Sequence, residues 1–256
     1  MTTTISEIPD YYYMKKLAHD VLMSLKHPAI PIKVMPIVKE LSNKDLIAHT
    51  FEQHTKIENL DYNTFLLNAP SQDGTLHYLP DHNSYVLLYN NNIQKERKTW
   101  TIAHELGHYF GNHEIKKYNY LNSTGEKKIP EELNIVLEQE ANCFAKEILA
   151  PTSLIQLMMG LFQIYDFTGI YTILRSLFRL SKEASYNIAT NICKLNSPSY
   201  SKKLCLKYES EIIKYYNLFE NRSFFNTLLR QYEHEIDSRD FKKRLILNPI
   251  DFFNYC

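Results

Sequence analysis

The segment His104-Glu105-Leu106-Gly107-His108 constrains this chain more than any other. Residues four apart lie on one face of an α-helix, so a helical HELGH segment presents the imidazoles of His104 and His108 to a single point. Two histidines so placed are two ligands of a zinc-type site. Glu105 lies about 100° further round the helix, where its carboxylate reaches a water beside the metal rather than the metal itself. Zinc lowers the pKa of such a water toward about 7, and Glu105 can take its proton as the oxygen attacks a carbonyl carbon. The pattern points to metal-assisted hydrolysis, with His104 and His108 as ligands and Glu105 as general base.

A site of this kind needs a third protein ligand. One source is local: His104 to Glu114 reads HELGHYFGNHE, close to the longer pattern HExxHxxGxxH. Gly111 fits that pattern, but Glu114 stands where it requires His, and His113 is one residue out of register. The other source is a downstream helix over 131–149, in which Glu138, Ala141, Asn142 and Ala145 share a face. Small residues beside the carboxylate would let this helix approach the HELGH helix closely. Glu138 is therefore preferred. Glu140 points about 200° away from it and reads as solvated, and Glu114 and His113 rank lower. His113 reads as a surface histidine at a helix end.

Lys plus Arg and Asp plus Glu both number 29 in the 256 residues, so no global field gathers a polyanion. The 44% of hydrophobic residues can fill a core. Cys143, Cys193, Cys205 and Cys256 form no CxxC pair, which suits free thiols in a reducing compartment. With no signal peptide in 1–10 and no long apolar run, a cytoplasmic protein without a membrane span is expected.

Apolar spacing predicts a helix over 11–25, an extended piece over 30–34 and a second helix opened by Pro36. Short strands are expected over 46–51, 64–68, 75–79 and 85–89, forming a small antiparallel sheet. The HELGH helix should span 95–110, followed by a loop over 116–130 and the helix over 131–149. Beyond Pro151 the chain reads as helical, in pieces near 152–163, 168–180, 182–194 and 202–243. This gives an α+β domain over 1–160 and a helical region over 161–256. The tyrosines at 11–13 and the aromatic residues near the C-terminus, including Phe252 and Phe253, read as core.

Two stretches resemble the ImmA/IrrE family of metallo-endopeptidases. The first is Arg97 to His108, RKTWTIAHELGH; the second is Glu138 to Pro151, EQEANCFAKEILAP, similar to the family's ExxANxFAxxLLMP signature. Pro31-Ile32-Lys33-Val34 after the N-terminal helix adds to a resemblance over roughly 14–192. Thr99, Trp100, Ile148 and Ala150 depart from the family pattern without touching a proposed ligand. The resemblance implies a zincin-like fold, one zinc ion, and Glu138 as third ligand. It also implies a protein substrate, a small helix-turn-helix repressor of a mobile element or stress response. The alternative is a non-catalytic zinc-containing protein that sequesters a repressor or toxin. Phe178 to Ala184 resembles the family's helix-turn-helix-like portion, yet the residues themselves read as a helix start capped by Ser181. The helix that follows has Lys194 as its only base after Glu183, so direct nucleic-acid binding is not expected.

Overall fold

Strand pairing in this chain is set by two short helices between the first and second strands. The computed structural model describes residues 6–195, 201–219 and 222–237. Helices α1 (Tyr11–Ser24) and α2 (Met35–Leu41) precede β1 (Leu46–Thr50). Next come α3 (Phe51–Ile57), α4 (Tyr62–Asn68), and the strands β2 (Gly74–Leu79) and β3 (Ser84–Tyr89). The sheet order is β1-β3-β2, with β3 antiparallel to β2 and parallel to β1. The fold class is α+β, as expected, but the sheet is mixed rather than antiparallel. A parallel pair needs a long connection, and α3 and α4 supply it by reversing the chain ahead of β2.

The segment 64–68, expected as a strand, lies in α4. A short apolar run does not by itself distinguish strand from helix, and local capping decides here. The Asp61 carboxylate accepts a hydrogen bond from the Thr64 backbone N–H at 2.8 Å, starting the helix. Phe65 then packs edge-on against Phe51, with ring centroids 5.1 Å apart. A capping box between Thr50 and Gln53 likewise ends β1 and starts α3.

Helices α5 (Lys95–Phe110), α6 (His113–Thr124) and α7 (Glu131–Leu149) follow the sheet. The stretch from Lys116, expected as a loop, is helical to Thr124, where Gly125 at φ 71° ends α6. Helix α5 packs on β2 and β3, burying Ile102 and Leu106. It also meets α7. A Cβ on Gly107 would lie 2.8 Å from both the Cα and the carbonyl oxygen of Ala141, so the two backbones meet where only glycine fits. Phe110 stacks on Phe144 beside this contact, at 5.3 Å between centroids.

The chain divides into two compact units, one of residues 1–17 and 33–145, the other of 18–32 and 146–256. Two of the three dividing lines fall within α1 and α7. The first unit holds the sheet, with Leu46, Leu87, Ile102, Leu137 and Phe144 in its core. Tyr12 and Tyr13, expected as core, are 81% and 41% exposed; the buried side of α1 is carried by Met14, Ala18 and Leu22 instead.

The described part of the second unit is helical: α8 (Thr152–Phe162), α9 (Phe167–Ser176), α10 (Lys182–Cys193), α11 (Lys202–Lys207), α12 (Glu209–Phe219) and α13 (Arg222–Asp237). Ser181 caps α10 by accepting from the Ala184 N–H at 3.2 Å, as its sequence position suggests. Glu235 holds α13 to α9 by accepting from Tyr171 Oη at 2.8 Å and Arg175 Nε at 3.0 Å. The expected helix over 202–243 is thus three described helices, and residues 238–243, Phe252 and Phe253 lie outside the described residues. Cys193 and Cys205 are free thiols. Among the described residues no single helix is long and apolar enough to cross a membrane.

The contact at Gly107 makes a direct prediction. Gly107→Ala should lower stability by about 1–3 kcal/mol through overpacking against Ala141. Chemical denaturation of the full chain checks this, and unchanged stability would contradict so close an approach.

Candidate metal centre

Because Gly107 and Ala141 touch, side chains within one turn of them on α5 and α7 can share one small space. His104 and His108 face it from α5, and Glu138 faces it from α7. His104 Nε2 and His108 Nε2 are 3.0 Å apart. Glu138 Oε2 is 3.1 Å from His104 Nε2, and Oε1 is 3.5 Å from His108 Nε2. Zinc bonds of ~2.0–2.1 Å in a tetrahedral arrangement place neighbouring ligand atoms about 3.3 Å apart. The observed spacings bracket that value, so these three side chains could hold one metal ion. The side chain of His108 is 5% exposed, those of His104 and Glu138 are 17% and 32% exposed. The group is therefore closed on the His108 side and open on the other, as a site that receives a substrate must be.

The electrostatics follow from burial and this contact. Burial opposes charge on both histidines. At His104, hydrogen bonding to Glu138 and the fields of Glu105 and Glu138 outweigh it, and its pKa is raised. At His108 burial wins and drives the pKa down to about 3, which keeps the imidazole neutral and its lone pair available. Burial also works to raise Glu138, but the hydrogen bond from His104 and the contact with His108 hold it well below the usual carboxylate range. Glu105 is 8% exposed. Burial pushes its pKa up to about 7, against the opposing pull of His104. A carboxyl group poised there can both take and return a proton near neutrality.

Asn142, one turn beyond Glu138, accepts from His104 through its Oδ1, 3.0 Å from His104 Nδ1. Its place on the Glu138 face was legible from the i, i+4 spacing. Two other residues were misplaced by sequence reasoning. His113, expected at the surface, is fully buried; its Nδ1 lies 3.0 Å from His108 Nδ1 and its Nε2 lies 2.9 Å from Glu140 Oε2. Glu140, expected in solvent, is 4% exposed. It does point away from Glu138, but that side of α7 meets the start of α1, where the Asp10 N–H donates to Glu140 Oε1 at 2.8 Å. The sign available in the sequence was Gly111-Asn112. Asn112 adopts φ 53° and turns the chain back, and a Cβ on Gly111 would collide with the His113 ring. Glu114, the other local candidate, is paired with Lys117 at 2.8 Å.

Asn142→Ala should weaken zinc binding by about 10–100-fold, because His104 loses the acceptor that fixes its ring. Competition with a chelator measures this; wild-type affinity in the variant would contradict it.

The comparisons with known proteins agree with this geometry. No curated protein matches the chain. The model of the Peptidase_M78 family, described as the IrrE N-terminal-like domain, matches residues 57–187. That match includes the HELGH helix, Glu138 and Asn142, and the family is one of zinc-dependent metallopeptidases. With just over half of its length matched, and with two histidines and a glutamate brought to one point, the chain belongs to the Peptidase_M78 (IrrE N-terminal-like) family.

Proposed function

We propose that this chain is a cytoplasmic zinc endopeptidase that cleaves a regulatory protein, a small helix-turn-helix repressor. One zinc ion would be held by His104, His108 and Glu138, with Glu105 as general base. The observation that carries this reading is the convergence of three ligand atoms at zinc-like spacing beside a buried carboxyl group on the helix that carries the two histidines. A zinc ion there would supply Lewis acidity, polarising a peptide carbonyl and bringing the pKa of a water toward about 7. Glu138 contributes negative charge to the cation, and the neutral His108 contributes an uncontested lone pair. Glu105 takes a proton from the attacking water and returns it to the departing amine.

The substrate class rests on the two signature stretches and their resemblance to the ImmA/IrrE family. In this reading residues 1–160 form the peptidase domain, and 161–256 an appended region whose described part is helical. An intact Glu105 beside an open face supports an enzyme over a protein that only sequesters its target, because a closed structural zinc site has no use for a base.

Two measurements test the reading. Co-expression with the helix-turn-helix protein encoded beside this chain should yield a shortened partner. Glu105→Gln should cut that cleavage by on the order of 10²–10⁴-fold; partner inactivation that persists undiminished in Glu105→Gln would support sequestration instead. Glu138→Ala should lose the zinc found in the wild-type protein by metal analysis, and full zinc content in that variant would contradict Glu138 as a ligand.

A further inference from the structure

We propose that His113 and Glu140 are positioning residues for the metal ligand His108, forming a hydrogen-bonded chain that fixes its tautomer and aims its Nε2 lone pair at the metal. This rests on the zinc reading above. Three buried groups stand in line: His108 Nδ1, 3.0 Å from His113 Nδ1, and His113 Nε2, 2.9 Å from Glu140 Oε2. The direction of each bond follows from what each group can do. A carboxylate only accepts, so the Nε2–H of His113 donates to Glu140. A neutral His113 then has its lone pair at Nδ1, and His108 Nδ1–H donates to it. His108 is left with its free lone pair at Nε2, the atom 3.0 Å from His104 Nε2 and 3.5 Å from Glu138 Oε1.

The surrounding chain is shaped to hold this line. Gly111 leaves room that a Cβ would take from the His113 ring. Asn112, in the left-handed region, turns α6 so that its first residue folds back beneath α5. Glu140 is itself fixed from two sides, by the Asp10 N–H at 2.8 Å and by Lys116 Nζ at 3.8 Å. Metal-bound histidines commonly rest their second nitrogen on a carboxylate or carbonyl. Here an imidazole stands between, and the carboxylate acts through it. His104 has the simpler arrangement, resting directly on Asn142.

The competing account is that His113 and Glu140 are a buried polar pair that only joins α6 to α7. Substitutions separate the two. In Glu140→Gln the Asp10 N–H keeps an oxygen at the Oε1 position, so the amide NH₂ faces His113. His113 must then accept at Nε2 and carry its proton on Nδ1, which obliges His108 to protonate Nε2 and blocks the metal-facing atom. His113→Ala removes the chain, whereas His113→Asn keeps an acceptor oxygen near the Nδ1 position.

The experiment measures zinc dissociation constants by chelator competition on metal-stripped full-length proteins, with melting of the stripped proteins followed in parallel. Glu140→Gln and His113→Ala are expected to weaken zinc binding by about 10–100-fold, and His113→Asn to bind zinc as the wild type does. If His113→Ala fails to fold, Glu140→Gln, nearly unchanged in shape, decides. Wild-type zinc affinity in Glu140→Gln overturns the proposal. So does a loss in both histidine variants that only follows their loss of stability. A wild-type protein that takes up no zinc overturns this proposal together with the zinc reading, whereas zinc-loaded wild type with unaffected variants overturns this proposal alone.

Discussion

The approach of α5 to α7 at Gly107 and Ala141 is the constraint on which the rest of the site depends. A Cβ at position 107 would lie 2.8 Å from the backbone of Ala141, so the helices sit nearer than side chains normally allow. That nearness lets one carboxylate from α7 reach two imidazoles on α5 within 3.1 and 3.5 Å. The apolar contacts on either side, Ile102 and Leu106 toward the sheet and Phe110 on Phe144, hold the pair in place. Metal-binding geometry here is a consequence of backbone packing.

The same packing puts three carboxyl groups into buried or half-buried positions, and each is accommodated differently. Glu138 is stabilised as an anion by the histidines it touches. Glu140 is stabilised by His113, by the Asp10 N–H and by Lys116. Among the described residues Glu105 has no comparable partner, and burial raises it toward neutrality. A buried carboxyl group without a charged partner is costly to a fold, and perturbed groups of this kind collect at functional sites. The contrast separates the proposed base, Glu105, from the proposed ligand, Glu138, more clearly than their shared residue type does.

Much of this was legible in the sequence because helical periodicity is a short-range property. The spacing of His104 and His108 and the common face of Glu138, Ala141 and Asn142 follow from 3.6 residues per turn. The α+β class and the long helices were legible on the same basis. Contacts between distant segments were not. Nothing near Glu140 indicates that α1 begins beside it, and a residue facing away from one neighbour was read as facing water. His113 was misread because its position depends on a tight turn at Gly111-Asn112 rather than on the phase of either helix. The short apolar run at 64–68 and the sheet's parallel pair failed for related reasons, one decided by the Asp61 cap and the other by the crossover through α3 and α4.

The central claim is that two imidazoles and one carboxylate from α5 and α7 bind a single zinc ion. X-ray absorption at the zinc edge of the metal-loaded protein tests it most directly. The account predicts only nitrogen and oxygen neighbours at about 2.0–2.2 Å, with multiple scattering from two imidazole rings. A sulfur neighbour at about 2.3 Å, or scattering from a single imidazole, would contradict it.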